Sequence, residues 1–436
     1  MLIPHRNLLL LGGLWFGLGA ASTFIPVLSL IWQGAGFLLL ALAVVDALIA
    51  RSAGISIEVQ RRVPHALPVG VWQTVQLRLA SRSRALRGQL FDRAPNAFRL
   101  ETMPLQFDLR ANASLRLSYR VFPSERGMHE FGLVEFRLDS PLRVWTVCGR
   151  AGTTETIRVY PDFAKVTQYA LLATDNRLSQ IGFLLKRRRG QGLEFQQLRD
   201  YREDDSPRQI DWKATALQHK LISREYDDER DQQIVFLLDC GQRMRAKDDE
   251  LSHFDHALNA ALLLAYVALR QGDAVGVATF AHPGPRYLPP RKALGTVNIL
   301  LNGLFDLQPS LQAPDYVVAS LRLSERLSKR SLIVVLTNLR DEDADTLRPA
   351  LRHLGKRHVV MLASLTEALI ETLRRRPLYS FDEALTHASA LEYLSSRRRL
   401  VTGLRKSGVH VLDVTPAKLP IALVNHYWEM KRAGVL

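Results

Sequence analysis

The spacing of hydrophobic and polar positions changes rhythm three times along the chain. From Leu8 to Val45 no residue carries a charge, a run of roughly 38 residues against the ~20 that one membrane helix needs. Pro26, with Ser22 and Thr23 just before it, interrupts the run. The pattern therefore predicts two spans, residues 7–24 and 27–49, joined by a tight turn. Trp15 and Trp32 are amphipathic enough to lie near a membrane interface, and Asp46 reads as a headgroup-level residue beside Arg51. With Arg6 before the first span and Arg51 after the second, the positive-inside rule places both ends, and everything after residue 51, in the cytoplasm. A rival reading takes "GLGAAS" (17–22) as a cleavage site for a secretory signal. The second span would then remain as an anchor and the rest would be exported.

From 55 to 160 the rhythm shortens to a period of two. "ISIEVQRRV", "TVQLRLAS", "QFDLRA", "SLRLSYRVF" and "HEFGLVEFRL" alternate apolar with polar residues and are separated by Pro, Gly, Asn and Ser. Such spacing predicts an all-β sandwich. No catalytic constellation falls within it, which leaves spacing or binding as its role. A less regular linker and signature segment, 161–231, follows and contains the basic run Lys186, Arg187, Arg188 and Arg189. That run, like "RRR" at 374–376 and 397–399, reads as solvated surface, with acidic lipid headgroups as the next candidate contact.

From 232 onward near-continuous apolar runs ("QIVFLLD", "DAVGVATFA", "SLIVVLTN", "HVVMLAS", "GVHVLDV") alternate with helical periodicity. In "LSHFDHALNAALLLAYVALRQ", Leu251, Phe254, Leu258, Leu262, Ala265 and Leu269 recur at three- and four-residue steps, and Gly272 ends the helix. Apolar runs of this kind suit strands covered on both faces. The fold class expected is multidomain: an N-terminal transmembrane helical hairpin (1–52), a β-sandwich (55–160), then a doubly wound α/β domain (232–436) with a helical insertion at 364–400. Leu423, Tyr427 and Met430 of a closing amphipathic helix would pack inward.

Composition narrows the function classes. The 436 residues are 47% hydrophobic and 23% charged, as in a folded protein, and the formal net charge is +15. A basic balance favours anionic surfaces. The apolar N-terminus makes that surface a membrane, and no aromatic-interleaved basic stretch supports nucleic acid. Two cysteines, Cys148 and Cys240, do not make a disulfide framework. Cys240 as a nucleophile would need a base, and His253 and His256 stand on a helix with no dyad geometry. No G-x-x-x-x-G-K-[ST] loop occurs. The expectation is a non-enzyme without a cofactor.

Just before the sheet stands "GLEFQQLRDYREDDSPRQIDWKATALQHK". Gly192, Glu194, Phe195, Leu198, Arg199, Tyr201, Asp204, Arg208, Ile210, Asp211, Trp212 and Ala216 resemble the signature of the bacterial domain-of-unknown-function family 58. "RVFPSERGMHEFG" in the sandwich and the tail "IALVNHYWEMKRAGVL" are similar to that family as well. Glu203, Ser206 and Leu217 depart from the pattern, which weakens inferences about the local turn. The segment is dense in opposite charges, and guanidinium–carboxylate pairs can lock an irregular stretch. It reads as an ordered brace with Trp212 as apolar anchor, and secondarily as a partner-recognition surface.

The resemblance implies a von Willebrand factor A-like sheet domain. Metal-binding members of that fold carry D-x-S-x-S after the first strand, with a threonine and an aspartate from later loops. Here Asp239 is present, but Gly241 and Arg243 hold the serine positions and Asn338 the later aspartate. Thr296 matches the threonine, though a helix N-cap role would explain it without a metal. The site is expected to be degenerate, with Arg243 pairing Asp239 in place of an ion. The resemblance further implies association with a MoxR-type AAA+ ATPase in assembly or maturation of other complexes. The chain would act as a membrane-anchored scaffold or adaptor at the inner membrane. The alternative is a metal-dependent ligand-binding or adhesion protein.

Overall fold

The structure, a computed structural model, describes residues 1–25, 27–55, 57–81, 85–162, 194–201, 210–227, 232–375, 377 and 379–436. It forms two compact units, Met1–Tyr160 and Pro161–Leu436.

The first unit begins with strand β1 (Leu2–Pro4) and two helices, α1 (Arg6–Ser22) and α2 (Leu28–Ile55). The His5 side chain caps α1 by accepting from the Asn7 amide. Trp15 and Trp32 stack on each other between the helices at 5.3 Å. The Trp15 indole N–H donates to Trp32 O (3.0 Å). Glycines make room for the pair: a Cβ on Gly19 would lie 2.7 Å from the Trp32 ring, and one on Gly36 2.9 Å from Trp15. Leu28–Arg51 is long and apolar enough to cross a membrane, with mean hydropathy 2.1, and none of Leu28–Val45 is buried.

Strands β2 (Ile57–Arg62), β3 (Ala66–Pro68), β4 (Gln73–Ser81), β5 (Leu86–Asp92), β6 (Phe98–Glu101), β7 (Leu105–Leu109), β8 (Ser114–Pro123), β9 (Gly127–Phe131), β10 (Val134–Asp139), β11 (Trp145–Ala151) and β12 (Glu155–Tyr160) follow. They form sheets ordered β1-β11-β10-β5-β7, β2-β4-β8-β6 and β3-β12-β9. Alternating burial along β4 puts Val75, Leu77 and Leu79 in the core, which is why a period of two marks the strand. Inside, Arg61 holds Asp92 with two donors (2.9 and 2.5 Å). The Tyr119 hydroxyl also donates to Asp92 (2.5 Å). Burial, then the Asp92 charge, pushes the Tyr119 hydroxyl far above its ordinary pKa, so it stays a donor.

In the second unit, β13 (Glu194–Asp200) and β14 (Ile222–Asp227) pair antiparallel, with helix α3 (Trp212–Gln218) between them in sequence. The remainder runs β15 (Gln233–Asp239), a short ladder of β16 (Lys247–Asp248) with β17 (Leu251–Ser252), α4 (His253–Arg270), β18 (Ala274–Phe280), β19 (Tyr287–Arg291), α5 (Thr296–Leu304), α6 (Tyr316–Arg326), β20 (Leu332–Thr337), α7 (Ala344–Gly355), β21 (Val359–Leu365), α8 (Ala368–Arg375), α9 (Phe381–Lys406), β22 (His410–Val414) and α10 (Leu419–Arg432). The sheet order is β19-β18-β15-β20-β21-β22, parallel except for the edge strand β19. Alternate residues of β15 serve opposite faces. Ile234, Phe236 and Leu238 meet α4 and α10, while Val235 and Leu237 meet α6, α7 and α9. A capping box of Ser252 and Asp255 starts α4.

The segment expected as an insertion at 364–400 is instead the crossover between neighbouring strands. β21 runs to Leu365, and α8 and α9 lead into β22.

Candidate functional site

The carboxyl ends of β15 and β20 converge on Asp239. Register brings Leu238 opposite Leu336, so Thr337 and Asp239 emerge side by side. Asp239 is 1% exposed, with both oxygens engaged. The Thr337 hydroxyl donates to Oδ2 (2.6 Å) and the Gly241 amide to Oδ1 (2.7 Å). The Tyr316 hydroxyl, from α6, lies 2.8 Å from Thr337 Oγ1 and extends the chain into the core. Burial pushes the Asp239 carboxyl up to about 6, partly offset by these two hydrogen bonds. Burial, with Asp239 and Asp343 nearby, also holds Tyr316 well above its ordinary pKa.

Arg243 does not pair with Asp239. It follows β15 in a short 3-10 turn and reaches a hundred residues downstream. Its guanidinium donates to Asp343 through Nη1 and to Glu342 through Nη2 (2.5 Å). Asp343 is nearly buried whereas Glu342 is mostly exposed. Burial works against the guanidinium charge, but the Asp343 and Glu342 carboxylates outweigh it and hold the pKa above the ordinary value. A fork of two donors reaches both carboxylates, which an ammonium at one point could not do.

Gly241 packs too tightly for a side chain. A Cβ there would lie 2.8 Å from Gln312 O and 3.0 Å from Asp239 Oδ1. The loop after α5 causes this crowding: Gln242 N–H donates to Gln312 O and Ser310 N–H to Cys240 O. That loop is a neighbour of the β15 end. Thr296 is the first residue of α5, its N-cap being Gly295, and its buried hydroxyl has no hydrogen-bond partner among the described residues. Asn338 turns away from Asp239. Its amide donates to Glu367 (3.2 Å) and lies 3.3 Å from His253 Nδ1. His253 is fully buried, its Nε2 3.3 Å from Asp248, and burial lowers its pKa.

Sequence reasoning missed Arg397 here. One of three consecutive arginines on α9, it is 2% exposed rather than solvated. It donates to Leu339 O, Leu365 O (2.8 Å), Ser364 Oγ (2.6 Å) and Asp413 Oδ1 (2.7 Å). The ends of β20, β21 and β22 are thereby tied to one guanidinium. Burial opposes its charge, and the bond to Asp413 restores it and raises the pKa.

The signature segment is placed in part. Glu194, Phe195 and Arg199 lie on β13, whose register with β14 shifts between Phe195 and Gln197. Asp204 and Arg208 lie outside the described residues. Tyr201 N–H donates to Leu221 O. Asp211 is the N-cap of α3, accepting from the Lys213 and Ala214 amides (3.0 Å each). Trp212 is not a buried anchor: it is 68% exposed, and Leu217, Leu221 and Leu198 are exposed with it.

Residues 197–384 match the family described as "Protein of unknown function DUF58". No curated protein matches the chain in sequence. Among solved structures it is similar to an aerotolerance-related membrane protein from Bacteroides fragilis. That likeness has 20% identity over 30% of this chain and 67% of the other, at a TM-score of 0.24. It is also similar to the conserved hypothetical protein BatB from Bacteroides thetaiotaomicron, with 15% identity over 46% and 98% and a TM-score of 0.29. A third likeness is to the SpRpn10 VWA domain, with 14% identity over 44% and 93% and a TM-score of 0.27.

Proposed function

We propose that this chain is a membrane-associated scaffold that binds other proteins and has no catalytic role of its own. A helical hairpin anchors it in a bacterial inner membrane, and the β-sandwich and a doubly wound, von Willebrand factor A-like domain face the cytoplasm. The observation that carries the membrane part is the apolar run Leu28–Arg51, in which none of the residues Leu28–Val45 is buried by the rest of the chain. Two surfaces support protein binding. One is the sheet edge around Arg243 and Glu342, and the other is the exposed apolar group Leu198, Trp212, Leu217 and Leu221. The energy-using partner in this reading is a MoxR-type AAA+ ATPase, and the work is assembly or maturation of another complex. Purification of the detergent-solubilised chain with nucleotide present should recover such an ATPase; its absence counts against the partnership.

The second reading, metal-dependent ligand binding, has a specific observation against it. The residues at the β15 end do not fit a divalent cation, which prefers several oxygen ligands and retains waters. Asp239 already spends both oxygens on internal donors, Gly241 admits no side chain, and Arg243 brings a positive charge held by Asp343. Arg243 serves as a built-in cation at this edge. Calorimetry with Mg²⁺ or Mn²⁺ should therefore show no tight binding. Tight binding that Asp239→Ala abolishes would restore the metal reading.

A further inference from the structure

The level at which the membrane ends can be read from both apolar helices independently. The uncharged helical stretches Leu8–Ser22 and Leu28–Val45 measure about 22 and 27 Å at the rise of an α-helix, against the ~30 Å hydrocarbon core. α2 runs on to Ile55, well past what spanning requires. Asp46 is its first charged residue, and Arg6 opens α1.

At that level both helices are fastened to the same turn of the sandwich. On α2, Asp46 is fully buried, and its Oδ1 accepts from the Leu142 amide (3.1 Å). Its partner is thus a backbone N–H rather than Arg51. One turn nearer the membrane centre, Ala43 O accepts from the Trp145 indole (2.8 Å). On the α1 side, β1 pairs Pro4 with Trp145, and the His5 amide donates to Val144 O (2.9 Å). The turn is stiff, because Ser140 Oγ accepts from both the Val144 and Trp145 amides (3.0 and 2.9 Å). Its tip, Pro141, Leu142 and Arg143, is exposed, Leu142 at 52%. An isolated exposed leucine needs no explanation. This one stands beside Ala43 and Asp46, where α2 leaves the hydrocarbon, followed by an arginine and an amphipathic tryptophan.

We propose that the β10–β11 turn, Pro141–Trp145, is a second membrane contact, with Leu142 in the boundary layer of a phospholipid bilayer beside α2. The proposal rests on the reading of α1 and α2 as membrane helices. The occupant is lipid because the surface continues from the apolar flank of α2, where Leu42, Val45 and Leu48 are exposed. The contact fixes the sandwich against the bilayer instead of leaving it on a free tether.

Site-directed spin labelling of the full chain in phosphatidylcholine vesicles tests this. Cys148→Ser and Cys240→Ala remove the native thiols, and Leu142→Cys, Leu38→Cys and Asp108→Cys supply the labels one at a time. Asp108 is exposed on β7, at the edge of the same sheet opposite β1. The label at 142 should favour oxygen over a water-soluble nickel chelate and be several-fold less accessible to nickel than the label at 108. Equal nickel access at 142 and 108, with 38 still lipid-like, overturns the turn contact alone. Protection of 142 from both reagents also overturns it, because a protein then covers the turn. Nickel access at 38 overturns the membrane reading itself.

Discussion

Asp239 and Arg243 stand four residues apart with opposite charges, yet the structure gives them different partners. Asp239 is kept by hydroxyl and amide donors, and burial sets its carboxyl near 6 instead of 3.8. A carboxyl raised in the folded state favours folding in its protonated form. Its contribution is complete below the unfolded value of 3.8 and is lost as pH climbs through about 6. Asp239→Asn should therefore flatten the stability profile between those values. Above the window it should offset up to about 3 kcal/mol, less whatever the amide loses as an acceptor. Urea unfolding followed by hydrogen exchange in β15, run on both proteins from pH 4 to pH 7, measures it; an unchanged slope in the variant would refute the assignment. Arg243 behaves otherwise. Arg243→Ala leaves Asp343 nearly buried without its cation and should cost about 3–5 kcal/mol. Asp343→Asn should approach that loss, and the double variant should add little to it, since the two act as one unit. Were Asp239 the true partner of Arg243, Asp239→Asn and not Asp343→Asn would show this coupling.

At the scale of elements, α9 packs Leu400, Val401 and Leu404 against the sheet, and Arg397 ties the crossover to the strand ends through polar bonds. Arg397→Ala would take the guanidinium donor from Leu339 O and Leu365 O and leave Asp413 the Thr366 hydroxyl in place of a cation. The expected cost is about 3–5 kcal/mol, as for breaking other buried charge pairs. Amide exchange should rise first at the ends of β20, β21 and β22; a rise confined to α9 would contradict the bracing role. Arg398 and Arg399 beside it are exposed, so their alanine variants should fall within about 0.5 kcal/mol of the parent. That contrast also shows why the sequence is only partly legible. The strands β15, β18, β20, β21 and β22 lie on the apolar runs because each is covered on both faces, and a two-sided core leaves few polar positions. Arg397 could not be separated from its neighbours, because burial of one arginine depends on carbonyls far away in the chain. The same holds for Arg243, whose partners lie about a hundred residues on. Tyr316 and Thr337 were unreadable for a related reason, since the role of Thr337 arises from register between parallel strands and that of Tyr316 from the packing of α6 against it. Gly241 and Arg243 carried a usable signal, the loss of oxygen ligands, but the direction in which the guanidinium points did not follow from it.

For the molecule as a whole, the N-terminal apolar segment is built into the first unit's architecture. β1 covers the edge of β11 through Leu2–Val147, Ile3–Thr146 and Pro4–Trp145, and the Met1 amino group donates to Cys148 O (2.8 Å). α2 supplies Asp46 and Ala43 O to the β10–β11 turn. A chain starting at Ile57 keeps every strand from β2 onward yet loses the edge strand and the acceptors for the Leu142 amide and the Trp145 indole. It also exposes the unpaired edge of β11, which invites edge-to-edge association. Such a truncation should leave the membrane fraction without yielding a sandwich of full stability. Amide exchange in β10 and β11 should rise several-fold over the intact chain in detergent, while β4 and β8, in a different sheet, should change little. The six-stranded sheet of the second unit provides an internal standard in the same experiment. Equal protection of β11 in both chains would mean that the anchor is a passive tether and that the sandwich is complete without it.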